Sequence, residues 1–281
     1  MKNKWRILKI LVTVVLFGFL LNFSLKRFND AKLEVIKVKL NPTKPEVYFV
    51  DNKEIQQIVK QNNPSLKIGN LDIPKIEKLI NNLPSIDSAN VFLALNGALN
   101  IDIKQKVPAF RLTKKGETFY VDAMGNEFPL SNNYSLPIML VNGNVDKKEY
   151  VDLAKLIKKI EQDPFSKKFF IGITKEKGNY FLLTVEGNYK VEIGDLERVD
   201  FKIEGFKTFM EKFLVDKNPN TYSKISLKYE NQIVTTLNSN FPGNESLLDL
   251  GKKEMEKHPE MLKRKKLEDK KEQDLKKVKT K

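Results

Sequence analysis

Cysteine is absent from the 281-residue chain, and histidine occurs once, as His258. The first absence excludes disulfide frameworks, thiolate metal sites and cysteine nucleophiles. The second removes multi-histidine metal sites and most histidine-based acid–base schemes. Acidic residues are in deficit: 36 Asp and Glu stand against 50 Lys and Arg, a formal net charge of +14. An excess of that size suits an anionic membrane surface or an anionic polymer. The basic residues are not gathered with aromatics into one patch, so nucleic acid is not expected as a partner. Several signatures are missing too: no G-x-S-x-G, no P-loop, no G-x-G-x-x-G and no H-E-x-x-H occurs. No pair of carboxylates stands in a context that suggests general acid–base work. The expectation is a protein without catalytic residues, metal, cofactor or small-molecule substrate, built to bind.

Long apolar runs are also scarce, and the single one is N-terminal: MKNKWRILKILVTVVLFGFLLNFSLKRF. Between Ile7 and Leu25 only Lys9, Thr13, Gly18, Asn22 and Ser24 interrupt it. At ~1.5 Å per residue, about nineteen helical residues reach roughly 28 Å, close to the hydrocarbon thickness of a bilayer. The competing reading is a cleaved signal peptide, which has a shorter apolar region and a small-residue cleavage site. Here the run is longer and leaves through Asn22-Phe-Ser-Leu-Lys-Arg-Phe28, so a retained anchor is expected. Lys2, Lys4, Arg6 and Lys9 outnumber Lys26 and Arg27. The positive-inside rule then makes residues 1–6 cytoplasmic, 7–25 a transmembrane helix, and the remainder extracytoplasmic.

Residues 31–107 read as a small α+β module. Leu33–Leu40 suits a strand. Asp51 is placed to cap a helix, with Glu54 at capping-box spacing and Ile55, Ile58 and Val59 on one face. A second helix is expected after Asp72, with Pro74 in its first turn and Ile73, Ile76 and Ile80 at helical spacing. Ala89, Val91, Leu93 and Leu95 alternate, Asn96-Gly97 signals a hairpin turn, and Leu99, Ile101 and Ile103 alternate again. The order strand–helix–helix–strand–strand implies a three-stranded sheet covered by two helices.

Residues 108–240 read as a mixed β domain with two helices. Strands are expected at Ala109–Thr113, around Phe119–Val121, at Leu136–Val141, Phe169–Thr174, Tyr180–Val185 and Tyr189–Ile193, and finally at Tyr222–Tyr229 and Gln232–Leu237. Asp122, beside Met124-Gly-Asn126, is expected to stabilise a turn. Helices are expected at about Asp146–Ile160 and Glu197–Leu214, the latter with a core stripe of Val199, Ile203, Phe206, Met210 and Phe213. Gly178-Asn179 and Gly187-Asn188 mark turns. Residues 241–281 form a charged tail, expected to be flexible or partly helical, with 13 Lys and Arg and 9 Asp and Glu from Asn244 onward.

Three segments, in order behind the anchor, resemble the bacterial cell division family FtsQ/DivIB. Leu83-Pro-Ser-Ile-Asp-Ser-Ala-Asn-Val91 is similar to its "LP-x-V-x-x-A-x-V". Leu99-Asn-Ile-Asp-Ile-Lys-Gln-Lys-Val-Pro108 is similar to "L-x-I-x-V-x-E-R-x-P", with Gln105-Lys106 in place of Glu-Arg. Phe119-Tyr-Val-Asp-Ala-Met-Gly125 is similar to "Y-x-x-D-x-x-G". The resemblance implies a POTRA-type domain at 31–107, a polypeptide-docking fold, and a β domain at 108–240. It also implies a non-catalytic scaffold that joins early and late components of the division complex. Its partners would be the coiled-coil membrane proteins FtsB and FtsL, at the septum of the inner membrane. The family's docking strand implies a partner site at Tyr229, matching an "L-x-Y" pattern, with Asn231, Ile233, Val234 and Leu237 following by strand position. Two other readings stay open from sequence: a POTRA-type component of envelope polypeptide transport, and an anchored wall-acting enzyme.

Overall fold

A computed structural model describes residues 2–186 and 189–257. It is an α+β protein that begins with one long helix, α1 (Lys2–Asp30). The segment Trp5–Asp30 is long and apolar enough to cross a membrane, and none of its most apolar stretch is buried against the rest of the protein. A bare apolar surface of that extent is stable only in an apolar solvent. The described residues divide into two compact units, 2–111 with 117–138, and 112–116 with 139–186 and 189–257.

The first unit continues from α1 through β1 (Ile36–Leu40), α2 (Asn52–Asn62), α3 (Ile73–Asn81), β2 (Ile86–Leu93) and β3 (Leu99–Gln105). Both expected caps form: Asp51 accepts from Lys53 N at 3.2 Å, and Asp72 accepts from Lys75 N at 3.1 Å. Each thereby satisfies a backbone donor that the first helical turn leaves without a partner. The three-stranded sheet runs β1-β3-β2, with β1 parallel and β2 antiparallel to the central strand. Ile55 and Val59 of α2, and Ile76 and Ile80 of α3, pack in one core with Val91, Leu99, Ile101 and Ile103. The alternation therefore points the way the sequence pattern required, with one exception. Leu95 is wholly exposed, because β2 ends at Leu93 and Leu95 belongs to the turn that follows.

β4 (Pro108–Lys114) leads out of this unit, and β5 (Glu117–Asp122) and β6 (Glu127–Pro129) return to it as a hairpin. Asp122 is a turn residue: its carboxylate accepts from Met124 N at 2.8 Å, Asn126 N at 2.9 Å and Asn126 Nδ2 at 2.9 Å. Tyr120 and Val121 are both buried, so both faces of β5 are covered at this point. Tyr120 packs 5.3 Å from the Phe49 ring, while its hydroxyl accepts from Arg111 Nη2 at 3.1 Å and from Leu136 N at 3.2 Å. Gln105, where the resembling pattern has Glu, is buried. Its Oε1 accepts from Phe49 N and Val50 N, and its Nε2 donates to Val47 O at 3.0 Å. A carboxylate has no proton for that last bond, which is the physical reason an amide fits this position.

The second unit adds β7 (Leu140–Gly143), α4 (Tyr150–Gln162), α5 (Pro164–Phe169), β8 (Phe170–Glu176), β9 (Asn179–Thr184), β10 (Lys190–Gly194), α6 (Val199–Phe209), β11 (Tyr222–Ser226), β12 (Val234–Leu237) and α7 (Glu245–Lys257). These strands lie in the order β12-β11-β10-β9-β8-β7. The pairs β7–β8 and β10–β11 are parallel, and α4–α5 and α6 make their crossovers. Phe206 of α6 packs 5.5 Å from both Phe169 and Phe170.

Four sequence expectations shift here. The strand expected at Leu136–Val141 forms only from Leu140, since Leu136 is drawn into the core of the first unit. The last two strands are shorter than expected, and residues 227–233 form an irregular link with Asn231 at φ 56°. Phe213 is exposed instead of on the core stripe, and Leu214 is buried. The cause is a π-turn over Met210–Leu214 that rotates the following side chains off the 3.6-residue period. The tail begins as the helix α7. His258, the rest of the tail to residue 281, and the turn expected at Gly187-Asn188 lie outside the described residues.

Candidate partner-docking edge

β12 is the terminal strand of its sheet, paired on one side with β11: Ser226 faces Val234 and Tyr222 faces Leu237. No strand among the described residues pairs with its other side. Such an edge presents unpaired backbone donors and acceptors that a protein must hide or use. The first unit shows hiding at β2, an edge strand of its own sheet. Asn81 accepts from Ala89 N at 2.7 Å and donates to Ala89 O at 3.3 Å, and Glu77 accepts from Val91 N at 2.9 Å. Among the described residues no side chain reaches the N–H groups of β12 in this way.

Beside this edge lies a groove of about 450 Å³. One wall is the turn from β10 into α6. Asp195 receives Lys202 Nζ at 2.6 Å and Glu197 N at 3.1 Å, which locks that turn. The Lys202 hydrogen bond holds the Asp195 carboxyl below its ordinary range, against the opposing effect of burial. Arg198, left-handed at φ 49°, precedes α6 and lies 4.9 Å over the Phe201 ring. The other wall is the link from β11 to β12, carrying Tyr229, Asn231 and Ile233. Glu230 on that wall pairs with Arg198. Leu227 N donates to Glu192 O at 2.7 Å, anchoring the start of the link. Gly194 makes the close approach possible: it has φ +74°, and a Cβ there would lie 2.9 Å from Lys228 Cγ.

Of the five residues expected at a partner site, Tyr229, Asn231 and Ile233 line the groove, and Val234 and Leu237 lie on the strand itself. Tyr229 and Val234 are exposed, while Ile233 and Leu237 are half-buried. Tyr229 stands in the bend before the strand, not on it. Sequence reasoning missed Arg198 and Phe201. The available signal was Phe201 itself, a large aromatic outside the Ile203–Phe206 stripe and now exposed. Among the described residues no group of three His, Cys, Asp or Glu is arranged to hold a metal. Two ion pairs, Arg198–Glu230 and Lys202–Asp195, engage four of the groove's charged side chains, and Phe201, Tyr229, Leu227 and Ile233 give it apolar surface. That arrangement suits binding of an extended chain.

No curated protein matches this sequence. Residues 107–236 match the family model described as FtsQ/DivIB, C-terminal related, a span that reaches the penultimate residue of β12. Over that span, which follows the long apolar helix, the chain is similar to the FtsQ/DivIB cell division proteins.

Proposed function

We propose that this chain is a membrane-anchored scaffold of the bacterial division complex, working by docking of partner proteins at the septum. In this reading residues 1–6 are cytoplasmic, residues 7–25 cross the membrane, and the remainder of the chain is extracytoplasmic. Residues 31–107 serve as the POTRA-type domain and 108–240 as the β domain. The partners are the small coiled-coil membrane proteins of the complex, FtsB and FtsL. The observation that carries the reading is the open edge of β12 beside the Tyr229 groove. An extended partner segment adds there as a further strand, taking affinity from main-chain hydrogen bonds and specificity from side-chain pockets. Tyr229, Asn231 and Ile233 are the pocket residues in this account, and Val234 and Leu237 are the strand positions.

The test is Val234→Pro in the isolated extracytoplasmic part, which removes one strand N–H. Pull-down with an FtsB-type partner is expected to fail while circular dichroism stays unchanged. Retained binding with normal folding would move the site elsewhere, and loss of both would make the strand a core element. In cells, a fluorescent fusion of the full chain is expected in midcell rings. A uniform envelope signal would count against the division role.

A further inference from the structure

We propose that the tip of the β2–β3 hairpin, Leu95-Asn96-Gly97, seats in the headgroup layer of the membrane that α1 crosses. This inference rests on the membrane-anchor reading of α1. Leu95 has a relative exposure of 106%, the highest of the exposed large apolar side chains described. A lone exposed leucine is ordinary on a protein surface; the position of this one is not.

A short series of contacts ties the tip to the last turn of α1. Gly97, at φ +80°, holds the turn against Ile68, whose Cδ1 would lie 3.3 Å from a Cβ at that position. The next residue, Gly69, is pressed against the helix: a Cβ there would lie 2.7 Å from Asn29 Cβ. Ile68 N donates to Ala31 O at 3.0 Å, and Lys67 Nζ pairs with Asp30 Oδ1 at 2.9 Å. Leu95 and Phe28 line one hollow of about 300 Å³ together with Val35 and Ile68. The depth follows from the helix. The apolar run ends at Leu25, and Phe28 lies three residues on, about 4.5 Å along the axis. The headgroup zone extends some ~5–8 Å beyond the hydrocarbon on each side. Phe28 and its neighbour Leu95 therefore fall within that zone. Lys32 and Glu34 line the hollow, Lys26 and Arg27 precede Phe28 on the helix, and Asp30 is paired with Lys67. The occupant is thus the lipid surface that α1 already enters. A leucine reaching the acyl boundary, flanked by lysines at phosphate level, is the usual chemistry of interfacial binding.

The absence of cysteine makes the test direct. Leu95→Cys, Ser88→Cys and Val15→Cys each give one site for a nitroxide label, and all three positions are exposed. Ser88 lies on β2, about 23 Å of strand from the tip. The full chain is reconstituted in vesicles of phosphatidylethanolamine and phosphatidylglycerol. Each label's accessibility to oxygen, which partitions into lipid, is compared with that to a water-soluble nickel chelate. The oxygen-to-nickel ratio is expected to be greatest at residue 15 and several-fold higher at 95 than at 88. A ratio at 95 equal to that at 88, with residue 15 still shielded from nickel, overturns the inference. A label at residue 15 open to nickel overturns the anchor reading and the inference with it.

Discussion

Glu149 shows how much one carboxylate does in the second unit. It accepts from Asp146 N at 3.0 Å, closing the capping box ahead of α4, and receives Lys175 Nζ at 2.5 Å. Lys175 is largely buried and lies 5.1 Å over the Tyr180 ring. Burial raises the Glu149 pKa, but the Lys175 and Asp146 hydrogen bonds and the Lys175 charge outweigh it, so the net shift is below the ordinary 4.5. A depressed folded-state value gives stability that is present above 4.5 and is lost as pH falls through the lower folded value. Urea unfolding of a chain beginning at residue 31 is therefore expected to show stability falling as pH drops below 4.5. Glu149→Gln is expected to lose about 2 kcal/mol at pH 7, where it leaves a buried lysine without its charge partner, and to flatten the acid limb. An unchanged acid limb would remove Glu149 from the account. At this scale Asp51, Asp72 and Asp122 were legible in the sequence, because a cap or turn depends on neighbours within four residues. The Glu149–Lys175 pair spans 26 positions and depends on where β8 passes α4, which no local pattern records.

Elements differ in how they treat their exposed edges. β2 is screened by Asn81 and Glu77 of α3, whereas β12 is left open. Asn81→Ala leaves both backbone groups of Ala89 without that partner. It is expected to lower stability by about 1–2 kcal/mol and to raise the tendency of the protein to self-associate, read by denaturant unfolding and by sedimentation. Neither change would mean that the screen has no structural value. Helices and strands with clear periodicity were recoverable from sequence. The π-turn after α6 was not: it preserves apolar composition while rotating Phe213 outward and Leu214 inward. The strand boundaries around residues 227–233 were missed for a related reason. Leu227 N makes the last rung of the parallel ladder with β10, on Glu192 O, and the chain then turns away through a link with Asn231 at φ 56°.

For the molecule as a whole, α1 is the dominant physical fact. Its apolar side chains are exposed from Trp5 to Leu25, so the full chain is expected to remain with membranes after alkaline carbonate extraction. A chain beginning at residue 31 is expected in the soluble fraction. Release of the full chain by carbonate would remove the anchor. The sequence by itself determined this anchor, the order of elements in the first unit, the α+β class and the family motifs. Each follows from apolar period, capping chemistry or turn dipeptides carried within a few residues. Only the tertiary structure decided the rest: that Gln105 staples the Val47–Val50 segment, that β12 ends a sheet, that Phe201 and Arg198 face Tyr229 across a groove, and that Leu95 stands beside Phe28. Those outcomes depend on contacts between residues distant in the chain. They form only when the sheet order and the crossovers bring the segments together.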